Sequence, residues 1–291
     1  MEDKNIETKI VSINSPDYPE KIRDFADGYK TIYARGNFSL VNTKSIAVVG
    51  SRKCTPYGRV VAKEIGRKCA EYGVTLVSGL AKGIDGAGMS GAIEAGGNVI
   101  AVLGQGTDIV YPKTNLALHR KIEKNGLIIS EYPNGTMPKR FTFVQRNRII
   151  SALSDAVIVV EAGVRSGSLI TAEYAADQGK NVFAVPGNIT SSMSLGTNKL
   201  ISEGAMPVTV IDDIFRIMGI KIGEHNQSCN NLGKDEIEIL NMVKNHGEIS
   251  IDELSNLTKK RVDIINGIIT VLEIKGFVFC EMGKVGLAKL Q

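Results

Sequence analysis

Seven short apolar runs separated by helical patterns constrain this chain more than any other feature. They cover residues 45–49, 74–78, 98–103, 127–130, 156–160, 181–185 and 206–210, and the first three end at Gly50, Gly79 and Gly104. The runs are continuous rather than alternating, as expected of strands covered on both faces. Between them lie helical stretches. Val61, Ile65, Cys69 and Tyr72 make one apolar stripe, residues 84–95 are rich in Ala and Gly, and 141–153 and 169–176 carry two further patterns. Strand and helix in alternation predict an α/β fold with a doubly wound, mostly parallel sheet.

The pattern changes near residue 219. Residues 219–233 are polar, Asn-rich and bounded by Gly, which reads as a linker. Beyond it, Ile237, Leu240 and Val243 mark one helix, Ser250 caps a short one containing Leu254, and Val262, Ile265, Ile269 and Leu272 mark a third. Residues 277–281 and 284–288 read as a hairpin turning at Met282-Gly283. Three helices and a hairpin predict a small C-terminal winged-helix domain. The expected organisation is a lead-in segment over 1–43, the sheet domain over 44–218, a linker over 219–233 and the small domain over 234–291.

Charge is unevenly spread. The chain's net charge is +4, but residues 44–233 carry 21 Lys/Arg against 15 Asp/Glu, and residues 234–291 carry eight against nine. Attraction to a polyanion would therefore sit in the sheet domain. Cys54, Cys69, Cys229 and Cys280 form no Cys-x-x-Cys pair and the chain has three His, so neither a metal site nor a disulfide framework is expected. No apolar run could span a bilayer and no secretory signal is visible, so no membrane association and a cytoplasmic location are expected.

In open parallel sheets ligands bind beyond the C-terminal ends of the strands. Here every one of the first five runs is followed by basic residues. Arg52 and Lys53 follow the first, Lys82 the second, Lys113 the third, Lys139, Arg140, Arg146 and Arg148 the fourth, and Arg165 the fifth. Three turns, Gly50-Ser51-Arg52, Ser78-Gly79-Leu80-Ala81-Lys82-Gly83 and Ser166-Gly167-Ser168, sit between a strand end and a helix start. Gly lets a backbone approach a ligand closely, and the N–H groups of the following helix favour an anion. Tight strand–helix turns need Gly in any case, so spacing leaves both explanations open. Phe141 and Phe143 flank the basic cluster at i, i+2 spacing. Either one packs while the other stays open to stack on a base, or both anchor the core.

These motifs, in this order, resemble the DNA-processing protein A family (DprA, also called Smf). The likeness extends over Tyr111-Pro112-Lys113, Ser130-Glu131-Tyr132, Arg146-Asn147-Arg148, Pro186-Gly187 and Gly196-Thr197-Asn198, and covers about residues 10–215. It implies an extended Rossmann-like domain that binds single-stranded DNA with little sequence preference and without enzymatic activity or a cofactor. It also implies protection of incoming strands in natural transformation, loading of the RecA recombinase, and a homodimer. The DNA-gripping positions implied are Arg52, Lys113, Arg140 and a base-stacking Phe143. Ser51, Gly79, Lys82, Arg146, Arg148, Ser166, Gly167 and Ser168 complete the candidate interface. Two departures stand out. Residues 1–43 are too short for the N-terminal helical domain many relatives carry, and Met89 stands where the family often has His.

Competing readings are enzymatic. The sheet also resembles the lysine-decarboxylase-like phosphoribohydrolases, but Thr171 occupies the position of their catalytic Glu. Gly104-Gln105-Gly106-Thr107-Asp108-Ile109 begins like a dinucleotide fingerprint and lacks its last Gly. Asp85, Asp108, Glu131 and Glu161 lie near strand ends and could serve a Mg²⁺-dependent nuclease, but the expected role is to pair with arginines or cap turns.

Overall fold

A computed structural model describes residues 7–23, 25, 30–221, 233–274, 277–281 and 283–287. The chain divides into two compact units, Met1–Ile222 and Gly223–Gln291. Residues 222–232 of the predicted 219–233 linker lie outside the described residues, as do Met282 and Ala288, and Cys229 falls within that stretch.

The first unit is built on a nine-stranded sheet. Its strands are β1 (Lys9–Ser12), β2 (Thr31–Gly36), β3 (Ser45–Val49), β4 (Thr75–Ser78), β5 (Val99–Leu103), β6 (Leu127–Ser130), β7 (Ala156–Val159), β8 (Asn181–Ala184) and β9 (Met206–Pro207), in the order β1-β2-β6-β5-β4-β3-β7-β8-β9. The strands from β3 to β9 pair in parallel, and β1 and β2 add antiparallel at the β6 edge. The fold is therefore the mostly parallel, doubly wound α/β arrangement that the alternation predicts. The predicted lead-in segment thus contributes two strands, β1 and β2, to this same sheet. They escaped the strand reading because β2 is buried only at alternate positions, Ile32 and Ala34, and lacks a continuous apolar run.

Helices cover both faces. They are α1 (Glu20–Arg23), α2 (Pro56–Glu71), α3 (Ile84–Glu94), α4 (Leu116–Asn125), α5 (Arg140–Leu153), α6 (Gly167–Asp177), α7 (Leu195–Ser202) and α8 (Ile211–Ile217). Strand residues divide by parity. Ala47, Val49, Val157 and Val159 join the core with Ile149 and Leu153 of α5 and Ala172 of α6. Ile46, Val48, Ala156 and Ile158 join the opposite core with Ala62, Ile65 and Cys69 of α2, Met89 of α3 and Phe215 of α8. Two buried faces are why the runs are uninterrupted. The small residues of α3 let it press onto α2: a Cβ at Gly66 would lie 2.0 Å from the Gly88 carbonyl oxygen, and one at Gly91 2.1 Å from that of Lys63.

The second unit contains α9 (Lys234–His246), β10 (Ile249–Ser250), α10 (Ile251–Thr258), α11 (Val262–Ile274), β11 (Val278–Glu281) and β12 (Lys284–Leu287), with sheet order β10-β12-β11. Ser250 caps α10 by accepting from the Glu253 backbone N–H. Ile239, Leu240 and Val243 are the buried stripe of α9, while Ile237 is only half-buried and Val262 is exposed. The two-residue β10 was too short to show as a pattern. Among the described residues no helix is long and apolar enough to cross a membrane.

Candidate nucleic-acid interface

The sheet order reverses between β3 and β7, and the loops leaving these two strands diverge there. That divergence opens a crevice, the usual ligand position in such sheets. A cleft of about 580 Å³ occupies it. One wall is the turn after β3, with Ser51 and Arg52, and the opposite wall is the turn after β7, with Arg165, Ser166, Gly167 and Ser168. The first turns of α5 contribute Arg140, Phe143 and Asn147, and Asp85 and Arg146 form part of the floor. A smaller recess of about 160 Å³ adjoins it, lined by Arg52, Gly79, Lys82, Tyr111, Phe143 and Arg146. Lys113 opens a short 3-10 helix directly after Pro112 of this recess.

Phe143 is half-buried, with its ring between two neighbours. The Arg52 guanidinium carbon lies 5.1 Å from the ring centroid, and the Tyr111 ring centroid lies 5.5 Å away at an interplanar angle of 32°. Cation–π contact holds Arg52 in position without neutralising it. Phe141 points elsewhere, exposed, with the Lys139 ammonium 5.9 Å from its ring. Among the described residues Arg52, Lys82, Lys113, Arg140 and Arg165 form no ion pair, so their charge remains available to a ligand.

Two of the candidate arginines do different work. Arg146 is buried, and its Nη1 donates to the Val102 carbonyl oxygen at 2.6 Å while its Nε has no hydrogen-bond partner among the described residues. Burial pushes the guanidinium down to about 10, against the opposing pull of Asp85. Burial likewise raises the Asp85 carboxyl, which accepts from the backbone N–H groups of Gly79 at 3.1 Å and Ala81 at 3.4 Å. Gly79 is required by this packing: a Cβ there would sit 1.8 Å from Arg146 Nη1. The glycine makes room for an arginine of the same chain rather than leaving a bare backbone for a ligand. Arg148 does not reach the cleft. Its Nη2 donates to Glu131 Oε2 at 2.6 Å, a well-buried pair. Residues two apart on a helix are rotated by about 200°, so Arg146 and Arg148 could not both face one crevice.

The turns have their own reasons. Gly83 has φ +78° and abuts the Ser51 carbonyl oxygen, which would lie 2.3 Å from a Cβ. Leu80, buried and at φ +54°, is a strained non-glycine residue in the turn after β4, costing on the order of 1–3 kcal/mol. Asn115 Nδ2 donates to the carbonyls of Leu80 and Ala81 at 3.0 and 3.1 Å and holds that turn. Ser51 Oγ accepts from the Lys53 N–H and lies 3.4 Å from Met193 Sδ. Ser166 caps α6, with its Oγ 2.8 Å from Ser168 Oγ.

The strand-end carboxylates are likewise engaged. Glu161 accepts from the Thr55 backbone N–H at 2.8 Å and from the Thr55 hydroxyl, and Asp108 accepts from the Gly135 N–H at 2.9 Å. Thr171 lines the cleft where a phosphoribohydrolase would carry its Glu. Among the described residues no three His, Cys, Asp or Glu side chains cluster as metal ligands. Tyr111, Asn147 and Met193 line the cleft and were absent from the sequence candidates. Tyr111 had a signal, since it precedes the Pro112-Lys113 of a recognisable motif. Met193 had none, because its place depends on how a long loop folds back over Ala162, whose N–H donates to the Met193 carbonyl.

Residues 9–219 match the family described as DNA recombination-mediator protein A. DNA processing protein DprA of Streptococcus pneumoniae is 44% identical over 199 residues, 68% of this chain and 70% of that protein. The putative DNA processing protein DprA of Mycobacterium tuberculosis is 38% identical over 251 residues, 84% of this chain, and the match spans only 64% of the mycobacterial protein. Among solved structures, that of the S. pneumoniae protein superposes with a TM-score of 0.69 at 40% identity, covering 76% of each chain. DNA processing protein A from Helicobacter pylori, studied for its single-stranded DNA binding mode, superposes with a TM-score of 0.67 at 30% identity, covering 74% of this chain and 96% of that one. A match running from β1 to the end of α8, with the fold shared by solved relatives, places this chain in the DNA recombination-mediator protein A family, whose members carry the names DprA and Smf.

Proposed function

We propose that the chain binds single-stranded DNA in the cleft above β3 and β7, gripping the backbone and stacking at least one base, with little sequence preference. The observation that carries this reading is that ion-pair-free Arg52, Arg140 and Arg165 line one cleft together with Phe143, with Lys82 in the adjoining recess and Lys113 directly after its Pro112. Phosphates held by about three to five of these cations would give a slope of log K against log salt of roughly −2 to −3.5, at about 0.7 per contact. A base on Phe143 would add on the order of 1–3 kcal/mol, independent of sequence because every base has a π-face. The H. pylori relative has a single-stranded DNA binding mode, which supports the choice of ligand.

The rest of the reading draws on the family. The chain acts in the cytoplasm as a homodimer in DNA uptake and recombination, shields incoming strands and delivers them to RecA, and its role is binding rather than turnover. The C-terminal unit is an accessory winged-helix module. Arg52→Glu tests the site. The fold should be unchanged by circular dichroism, and affinity for oligo-dT should fall at least about a hundredfold, since one contact is lost and a repulsion is added. Unaltered oligo-dT affinity would remove the cleft as the binding site.

A further inference from the structure

A second groove, of about 390 Å³, lies on the other side of the turn after β4, between α2, α3 and α4. Arg59, Lys63 and Lys121 line it with the hydroxyl residues Ser90 and Thr114, and Glu94 is its one acid. Lys63 is already taken, its ammonium 2.7 Å from Glu94. Among the described residues Arg59 and Lys121 form no ion pair. The groove's small wall, Gly83, Gly86 and Ala87, leaves its entrance unobstructed.

Only a narrow ridge of chain separates this groove from the recess beside the cleft. Gly83 at its mouth packs against the Ser51 and Arg52 carbonyls, and its chain neighbour Lys82 lines the recess beside Arg52. Thr114 on the opposite wall directly follows Lys113. A polyanion leaving the cleft past Arg52 thus meets Lys82 and Lys113 on the ridge and then Arg59 and Lys121 beyond it. We propose that a bound DNA single strand crosses this ridge and continues along the α2–α3–α4 groove, which forms a second, backbone-only segment of the binding site. The inference rests on the cleft being the first segment. From Gly83 to Glu94, α3 runs about 16 Å at 1.5 Å per residue, and a stacked strand advances about 3.4 Å per nucleotide, so the groove holds about three to five further nucleotides. With few aromatic groups present, its contribution is electrostatic and strongly salt-dependent.

The test is fluorescence anisotropy of the full chain with labelled dT6, which fills the cleft alone, and dT20, which reaches the groove, at two salt concentrations. Arg59→Glu combined with Lys121→Glu should leave dT6 affinity unchanged, weaken dT20 about tenfold and reduce the dT20 salt slope by about 1.4. Glu94→Gln, a surface neutralisation that also frees Lys63, should tighten dT20 about threefold and leave dT6 unchanged. It decides the matter if the double variant fails to fold. Wild-type dT20 affinity in these variants, or equal changes in dT6 and dT20, would overturn the second segment. An Arg52→Glu protein that still binds dT6 normally would instead overturn the cleft, which keeps the two failures apart.

Discussion

Arg148 and Arg146 show how little a cation's presence in a motif says about its task. Arg148 belongs to Glu131, and both are largely out of solvent. Removing one partner leaves the other buried and uncompensated, which costs several kcal/mol, while the cleft loses nothing. Arg148→Ala should therefore lower stability by about 2–4 kcal/mol in urea titrations and change oligo-dT affinity by less than about twofold. The helical rotation separating these two arginines could have been read directly from their spacing, whereas the buried partner of each could not. His119 carries a second residue-level expectation. Burial, reinforced by Arg35, holds its imidazole down at about 4 from 6.5. Between those values the unfolded chain binds a proton that the folded chain refuses, so stability rises with pH and is lost as pH falls from about 6.5 towards 4. From pH 7.5 to pH 5 this group alone should remove about 2 kcal/mol. Urea midpoints at the two pH values, compared with those of His119→Gln, isolate it: an equal acid loss in the variant would show that His119 is not responsible.

Elements were legible where burial on two faces wrote itself into the sequence. The runs that became β3 to β8 are continuous because helices of both layers pack on them, and the Ala- and Gly-rich stretch that became α3 is small because α2 lies against it. The α2–α3 contact yields a test with two opposing terms. Gly66→Ala gains about 1 kcal/mol of helix propensity. Its new Cβ would stand 2.0 Å from a backbone oxygen that cannot rotate away, so the helices must separate, and overpacking of this kind costs typically 1–3 kcal/mol. The clash should win, with a net loss of up to about 2 kcal/mol and a lower Tm; a stabilised variant would mean the two helices have slack. Elements went unread where the signal was weak. β1 and β2 bury one face only, and α4, α7 and α8 are short helices whose buried faces offer two residues each to pattern recognition.

The molecule as a whole comprises two units with separate apolar clusters, one of them carrying both the cleft and the groove. Because the second unit has its own core and a net negative charge, a chain ending at residue 221 should keep its fold and bind oligo-dT within about twofold of the full chain; a loss of more than tenfold would give the C-terminal module a direct part in the grip. The amino-acid order was enough to dictate a mostly parallel α/β sheet and to put cations after each of the first five apolar runs, because hydrophobic periodicity and the chemistry of turns are local. It could not say which cations stay available. That depends on which carboxylate, carbonyl or ring lies opposite each one across the fold: Glu131 for Arg148, Val102 for Arg146, and Phe143 for Arg52. Such partners lie from 17 to 91 positions away in the chain. Only folding brings them together, and a charge's availability follows from its neighbours in space.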